Sequence, residues 1–193
     1  SVVNDYLKEG IAHTLDETRN LSDSGQFEDI SLQQGIRQIL YPYEEMEVLN
    51  PEWEVILKDI IDSLFEQMSD EEYNILNEEF GTYMVSRAYE YRQLLEYLVF
   101  RYFAKSIYDY DFLGKCQMLV TNFFVIRQMD IIRWLDNHRE YSFKDRMDVV
   151  HIFSRQVEYS EDNIENLYED FIFDDIFKTD SLIAILWIDS ENI

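Results

Sequence analysis

The stretch EYLVFRYFAKSIYDYDFLGKCQMLVTNFFVIRQMDIIRWLD, residues 96–136, is dense in aromatic and aliphatic side chains and contains one glycine and no proline. Its apolar residues recur at helical spacing on both sides of YDYD, residues 108–111, which indicates a turn with Asp111 capping the second helix. We therefore predict two long, apolar, antiparallel helices over 83–108 and 112–136 at the centre of the fold. The seam that the first helix is predicted to bury is Val85, Ala88, Arg92, Leu95, Val99, Tyr102 and Ser106. Its apolar face is widened by Leu94, Leu98, Phe103 and Ile107.

Shorter helices are predicted on both sides of this hairpin. Asn50 followed by Pro51 is typical of a helix N-terminus, and Ser69 with Glu72 is a capping box. Gly81 is expected to end the helix that Ser69 begins. Further helices are predicted over residues 2–20 and after the caps Ser31, Ser142, Ser160 and Asp180.

The predicted fold class is all-α, an irregular multi-helix bundle of about eight or nine helices. Five glycines and two prolines are too few turn breakers for a many-stranded β fold. We expect a single helical domain over 1–193, with peripheral helices and loops in 1–50, a helical core in 51–177 and a short terminal helix in 178–193. Because the chain starts at Ser1 without an initiator methionine, we expect it to be a C-terminal fragment of a longer protein.

Composition narrows the classes of function. No apolar run approaches the roughly 18 residues of a membrane span, so we expect no membrane partner and a cytoplasmic location. The single cysteine, Cys116, excludes an internal disulfide and a cysteine-built metal site within this sequence. The sequence has no glycine-rich phosphate loop and no alternation of strands and helices, which argues against a Rossmann-type S-adenosylmethionine site in this chain.

The net charge of −24 is unevenly distributed. Residues 1–86 carry a net −16 and residues 156–193 a net −10, whereas residues 87–155 carry a net +2. Such a chain is expected to be repelled by nucleic acid and to attract cationic partners. Acidic helix faces also keep a protein soluble, and this simpler interpretation stays open.

Two small constellations could carry chemistry. Asp148 and His151 lie three residues apart, so they share a helix face as metal ligands on helices do, but a half-buried structural histidine near a carboxylate is the favoured interpretation. Cys116, beside Lys115, could be an activated thiolate, but no catalytic partner surrounds it in sequence and a packed thiol is favoured.

Charged residues also interrupt the second central helix at Arg127, Asp130 and Arg133. They predict either a ladder of salt bridges or a polar patch that faces a cleft or another domain. Arg101 and Lys105 of the preceding helix could join this patch, which would then be the partner- or substrate-facing site.

Several segments resemble the C-terminal helical region of the flagellin lysine-N-methylase (FliB-type) family. They are YLVFRYFAKSIYDYDFLGK (97–115), FFVIRQMDIIRWLDN (123–137), SRQVEYSEDNIENLYEDFIFDDIF (154–177), and upstream YLKEGIAHTLDETRNL (6–21), ISLQQGIRQIL (30–40) and NPEWEVIL (50–57). The resemblance implies methyl transfer from S-adenosylmethionine to lysines of flagellin. It also implies a cysteine-ligated metal or iron–sulfur site in a cysteine-rich N-terminal half, whose ligands Cys116 does not match, so no catalytic residue carries over.

Three functions follow as hypotheses. In the first, the chain is the helical accessory domain of such a methylase, which supports the cysteine-rich half or presents flagellin or another basic, lysine-bearing protein. The second is a non-enzymatic acidic helical protein-interaction module. The third is a carboxylate–metal enzyme that uses Asp148 and His151.

Overall fold

A computed structural model describes residues 30–191 of the chain. Within this range the secondary structure is entirely helical, without strands, which confirms the all-α prediction. The α-helices are α1 (Leu32–Glu44), α2 (Pro51–Ile60), α3 (Asp70–Met84), α4 (Ala88–Phe103), α5 (Ser106–Asp109), α6 (Phe112–Asp136), α7 (Phe143–Phe153), α8 (Glu161–Phe173) and α9 (Thr179–Glu191).

The predicted caps Ser31, Asn50, Ser69, Ser142 and Ser160 begin their helices as expected. The prediction for Asp180 is wrong, because α9 already begins at Thr179 and Asp180 lies in its first turn. The Asn50 side chain accepts from the amide of Glu52 at the start of α2, and Ser69 and Glu72 complete the capping box of α3. The predicted helix over 112–136 coincides with α6, because Asp111 accepts from the amide of Gly114 and so fixes its first turn.

Helix α6 is the central element. Sixteen of its 25 residues are buried, and one continuous hydrophobic cluster extends around it from Leu32 in α1 to Ile185 in α9. Helices α4, α2, α1, α7, α8 and α9 all contact α6. The remaining helices therefore pack around α6 rather than around a pair of equivalent helices.

The predicted helix over 83–108 is wrong in its bounds. A 3-10 turn, Val85–Arg87, separates α3 from α4, and α4 ends at Phe103 before the short α5. Gly81 lies inside α3 instead of ending it. Of the predicted apolar face, Leu94, Leu98 and Tyr102 are buried as expected, and Glu90 is buried beside them. The prediction is wrong for Val85, Ala88, Arg92, Val99 and Ile107, which are exposed.

Helix α1 lies in the segment 1–50 that was predicted to be peripheral, and one of its faces contributes to the core. Leu32, Ile36, Ile39, Leu40 and Tyr43 are almost completely buried, because the apolar face of α1 packs between α3, α6 and α9. The predicted helix over 2–20 lies outside the described residues.

Two side-chain amides hold the connector between α1 and α2. Gln156 accepts from the amides of Leu49 and Asn50, at 2.9 and 3.2 Å, and donates to the carbonyl of Glu47 at 2.7 Å. Asn163 accepts from the amide of Glu47 and donates to its carbonyl. Gln156 lies in a π-helical segment, Ser154–Glu158, that continues α7 and turns this amide toward the connector.

Candidate functional site

An open groove of about 600 Å³ lies between the first turns of α2, the end of α6 and the middle of α7. We call it the α2–α7 groove. Ile152 is buried beneath it, while Val55 and Ile56 of α2 form its apolar wall. Its polar residues are Glu52, Arg133, Asp148 and His151. The structure thus brings one residue of the predicted patch together with the predicted Asp148–His151 pair.

One carboxylate of this groove, Asp148, forms an ion pair with a lysine of the same chain. The Nζ of Lys144 lies 2.5 Å from Oδ2 of Asp148, one helical turn away on α7. The pKa of Lys144 is raised by this hydrogen bond and by the charge of Asp148. The Lys144 side chain is 82% exposed and that of Asp148 is 43% exposed, so solvent reaches the pair.

The predicted patch of five residues does not exist as one surface. Arg127 and Asp130 are buried, Lys105 is exposed, and Arg133 is half-buried in the groove. Arg101 is half-buried, and its Nε lies 3.8 Å from Oε1 of Glu158. The patch is divided because Arg127 and Asp130 face inward on α6, which has neighbouring helices on nearly every side.

Arg127 completes a buried polar bridge to two other helices. Its Nη2 donates to Oδ1 of Asn77 at 2.9 Å and lies 3.7 Å from Oδ1 of Asp189. Asn77 in turn donates to Asp189 at 2.8 Å. This bridge joins α3, α6 and α9 and leaves the Arg127 guanidinium no freedom to contact a partner.

Asp130 lies at the centre of a second buried cluster, and its side chain has no exposed surface. Its carboxylate accepts from the hydroxyls of Tyr91 and Tyr141 and from the guanidinium of Arg146. The Arg146 guanidinium lies 4.2 Å from the centre of the Tyr91 ring, and its Nε is 3.6 Å from a carboxylate oxygen of Glu90. This arrangement joins α4, α6 and α7.

Burial governs the ionisation of this cluster. It raises the pKa of Asp130, and the charge of Arg146 and the donated hydrogen bonds oppose that rise. Burial also raises the pKa values of Tyr91 and Tyr141, and the charge of Asp130 raises them further. The tyrosines therefore stay protonated as donors, which makes this cluster a structural tie rather than an acid–base pair.

Glu158 anchors a third polar cluster beside α4. It accepts from Tyr97 and Ser154 at 2.6 Å each and from Tyr102 at 3.2 Å. Burial raises the pKa of Tyr97 to about 12, and the hydrogen bond from Tyr97 to Glu158 adds to the rise. Sequence reasoning missed this glutamate because the two tyrosines that donate to it lie more than 50 residues away.

Large apolar side chains are exposed where α4, α5 and the start of α6 meet. Phe100 is 81% exposed and Tyr110 is 89% exposed. Phe103 and Phe112 pack edge to face at 5.0 Å and tie the two sides of this turn together. We call this surface the apolar tip, and it consists of Phe100, Ile107, Tyr108, Tyr110, Phe112 and Leu113.

The residues considered for metal binding and thiolate chemistry, Asp148, His151 and Cys116, lie in surroundings that favour neither. Among the described residues no group of three or more potential ligands lies close enough to hold a metal ion, and Asp148 is engaged by Lys144. Burial raises the pKa of the Cys116 thiol, and the charge of Asp111 adds to the rise. The Lys115 ammonium is instead 2.8 Å from Oδ2 of Asp109. These residues do not fit a cysteine-ligated metal or iron–sulfur centre.

None of the helices between residues 30 and 191 is both long enough and apolar enough to cross a bilayer.

Comparison with known proteins identifies the sequence class. The family model described as the FliB lysine N-methylase C-terminal domain matches residues 1–185 of the chain. No curated protein and no solved structure matches the chain.

Proposed function

Because the chain belongs to the family of FliB lysine N-methylase C-terminal domains, we propose that it presents lysine-bearing protein, flagellin in the first place, to the rest of a cytoplasmic methylase. The resemblance implies that a cysteine-rich half of that enzyme supplies S-adenosylmethionine chemistry and a cysteine-ligated centre. The described residues hold no fitting donor set for that centre, and no step of methyl transfer is assigned to them.

The α2–α7 groove is the observation that carries this proposal. A lysine side chain has a long apolar stem and a charged end, which match an apolar wall beside a carboxylate. Val55, Ile56 and Ile152 supply the apolar surface, and Asp148 binds the ammonium of Lys144 in the same groove. A substrate lysine would replace Lys144 at Asp148 and lay its stem on this wall.

The charge of the surrounding surface supports the same class of partner. At least eight of the eleven basic side chains of residues 87–155 form ion pairs within the chain, so they offer little positive charge outward. Exposed carboxylates extend over α2, α3 and the segment between them, and they include Glu52, Glu54, Asp59, Glu66, Glu71 and Glu78. A lysine-rich protein would be steered toward this side.

Two variants at the groove test the proposal in opposite directions. Lys144→Met frees Asp148, and we expect it to strengthen flagellin binding severalfold. Asp148→Asn removes the acceptor charge, and we expect it to weaken binding by about tenfold at low salt. Fluorescence anisotropy of labelled flagellin measures both, with Lys58→Met and Asp162→Asn as matched exposed controls that should bind like the natural chain.

Acetylated flagellin supplies the complementary control, because acetylation removes the lysine charge. Acetylated flagellin should therefore bind the natural chain and the Asp148→Asn variant with the same affinity. If the Lys144 and Asp148 variants both bind like the natural chain, the groove is not the lysine site.

The acidic interaction module stays the second candidate, and the exposed carboxylates of α2 and α3 favour it equally. It predicts salt-sensitive binding to any basic protein of similar charge. Equal affinity for flagellin and for an unrelated basic protein, with no effect of the groove variants, would favour this module over the methylase domain.

A further inference from the structure

The apolar tip is held rigidly from inside the domain. Lys115 is buried, its Nζ lies 2.8 Å from Oδ2 of Asp109 and 3.6 Å from Oδ2 of Asp111, and it sits 4.4 Å from the centre of the Tyr168 ring. These contacts fix the turn between α5 and α6. The exposed side chains around that turn therefore cannot fold inward without separating the buried Lys115 ammonium from the partly exposed carboxylates of Asp109 and Asp111.

One residue of the tip adopts a backbone conformation that bulky side chains rarely use. Tyr110 has φ 58° in the left-handed region, where its amide donates to the carbonyl of Ser106 at 3.0 Å. Such a conformation is unfavourable for a bulky residue and persists only where the surroundings impose it. Here it directs the Tyr110 side chain outward.

The tip is also the part of an acidic molecule that carries little charge. Between residues 97 and 113 the two basic side chains equal the two acidic ones in number, whereas the whole chain has a net charge of −24. Arg101 is paired with Glu158, and Asp109 and Asp111 are paired with Lys115. A group of large exposed apolar side chains with balanced charge around it is typical of an interaction surface.

We propose that the apolar tip is the surface against which the preceding part of the parent polypeptide packs, an inference that rests on the proposed function. The family description identifies this chain as a C-terminal domain, which implies such a part. A covalently linked partner is present at millimolar effective concentration, so an apolar, uncharged contact suffices to hold it. A second copy would instead bring two molecules of net charge −24 together.

Hydroxyl-radical footprinting of the full-length parent and of the 193-residue chain tests this assignment. Side chains of the tip, read out individually by mass spectrometry, should be oxidised about tenfold more slowly in the parent, because burial in an interface removes them from water. Ile75 and Val85 are exposed elsewhere, 52% and 63%, and should react equally in both proteins.

Substitution makes the test specific. In the parent, Ile107→Asp combined with Tyr108→Asp should restore the oxidation rate of Tyr110 to that in the isolated chain, whereas Val85→Asp should not. Equal rates for the tip in both natural proteins would overturn the inference. Protection that already exists in the isolated chain and grows with its concentration would overturn it in favour of a second copy. The isolated chain with Ile107→Asp and Tyr108→Asp should bind flagellin as the natural chain does. Failure of the tip assignment can therefore be distinguished from failure of the proposed lysine site in the groove.

Discussion

The middle of α6 and the apolar tip reverse the usual distribution of polar and apolar groups. The middle of α6 buries Arg127 and Asp130, both fully engaged by other helices. The tip exposes Phe100, Tyr108 and Tyr110 on a turn that a buried lysine holds in place. In the first region, buried charges fix how the helices pack. In the second, apolar side chains are exposed on the surface of the domain, where only a partner can bury them.

The difference shows which residues serve the domain itself. A buried ion pair stabilises little by its presence, but removal of one member leaves an uncompensated charge. Exposed apolar side chains behave in the opposite way, because their removal costs the isolated domain almost nothing. Measurements of the free energy of unfolding should therefore distinguish residues that stabilise this domain from residues that face a partner.

The largest effect is expected for Asp130→Ala. This change leaves Arg146 buried without its carboxylate and leaves two tyrosine hydroxyls without an acceptor. We expect a loss of about 3–5 kcal/mol in the free energy of unfolding, measured by urea denaturation. Asp136→Ala, at an exposed position of the same helix, should cost less than about 0.5 kcal/mol. Equal costs for the two variants would contradict the structural role of Asp130.

A smaller loss is expected for Gln156→Ala. Gln156 is fully buried and satisfies three backbone groups of the connector between α1 and α2. Leaving those groups without partners should cost about 1–3 kcal/mol by the same denaturation experiment. Gln38→Ala changes an exposed glutamine in α1 and serves as the control. A Gln156 variant as stable as that control would show that water replaces these contacts.

The interior tyrosines predict a loss of stability at alkaline pH. The pKa of Tyr97 is raised to about 12, and burial raises those of Tyr43, Tyr73, Tyr91, Tyr102 and Tyr141. Unfolded tyrosines ionise near pH 10, so above that pH the unfolded state releases protons that the folded state retains. The stabilising contribution is complete below about pH 10 and is lost as the pH rises through about 12.

Urea denaturation followed by circular dichroism between about pH 9 and pH 12 measures this loss. Tyr97→Phe should make the decline between about pH 10 and pH 12 less steep, because one titrating group is removed. A free energy of unfolding that stays constant across this interval would show that the tyrosines ionise freely in the fold.

The smallest effect is expected at the tip. Phe100→Ala should change the free energy of unfolding by less than about 0.5 kcal/mol, whereas Leu98→Ala, two residues earlier on α4 and buried, should cost about 2–5 kcal/mol. Denaturation of both variants provides the comparison. If Phe100→Ala costs as much as Leu98→Ala, the tip belongs to the domain's own core.

Local sequence signals predicted much of the fold. The caps at Asn50 and Ser69 lie next to the groups they bond, so their short-range pattern is visible in sequence. The bounds of α6 follow from Asp111 and from an apolar run long enough to exclude other structures. The groove residues Asp148 and His151 were found for the same reason, since they are neighbours on one helix.

Signals that depend on distant residues were missed. The break between α3 and α4 contains no proline or glycine, and Arg87 is held there by Glu90 and by the carbonyl of Tyr141. Helix α4 is apolar on most sides, so periodicity could not identify its buried face. The interior position of Asp130 depends on Arg146, on another helix, which a pattern within one helix does not reveal.

The hydrogen bonds by which the Gln156 and Asn163 side chains hold the connector between α1 and α2 have a consequence for synthesis on the ribosome. Its contacts with the connector span 106 to 116 residues of sequence. The polypeptide emerges from its N-terminal end, so α1 and α2 leave the ribosome well before either amide has been translated. Until then water solvates the backbone of Glu47 and Leu49, and the relative placement of α1 and α2 is completed only by a segment translated 106 to 116 residues later.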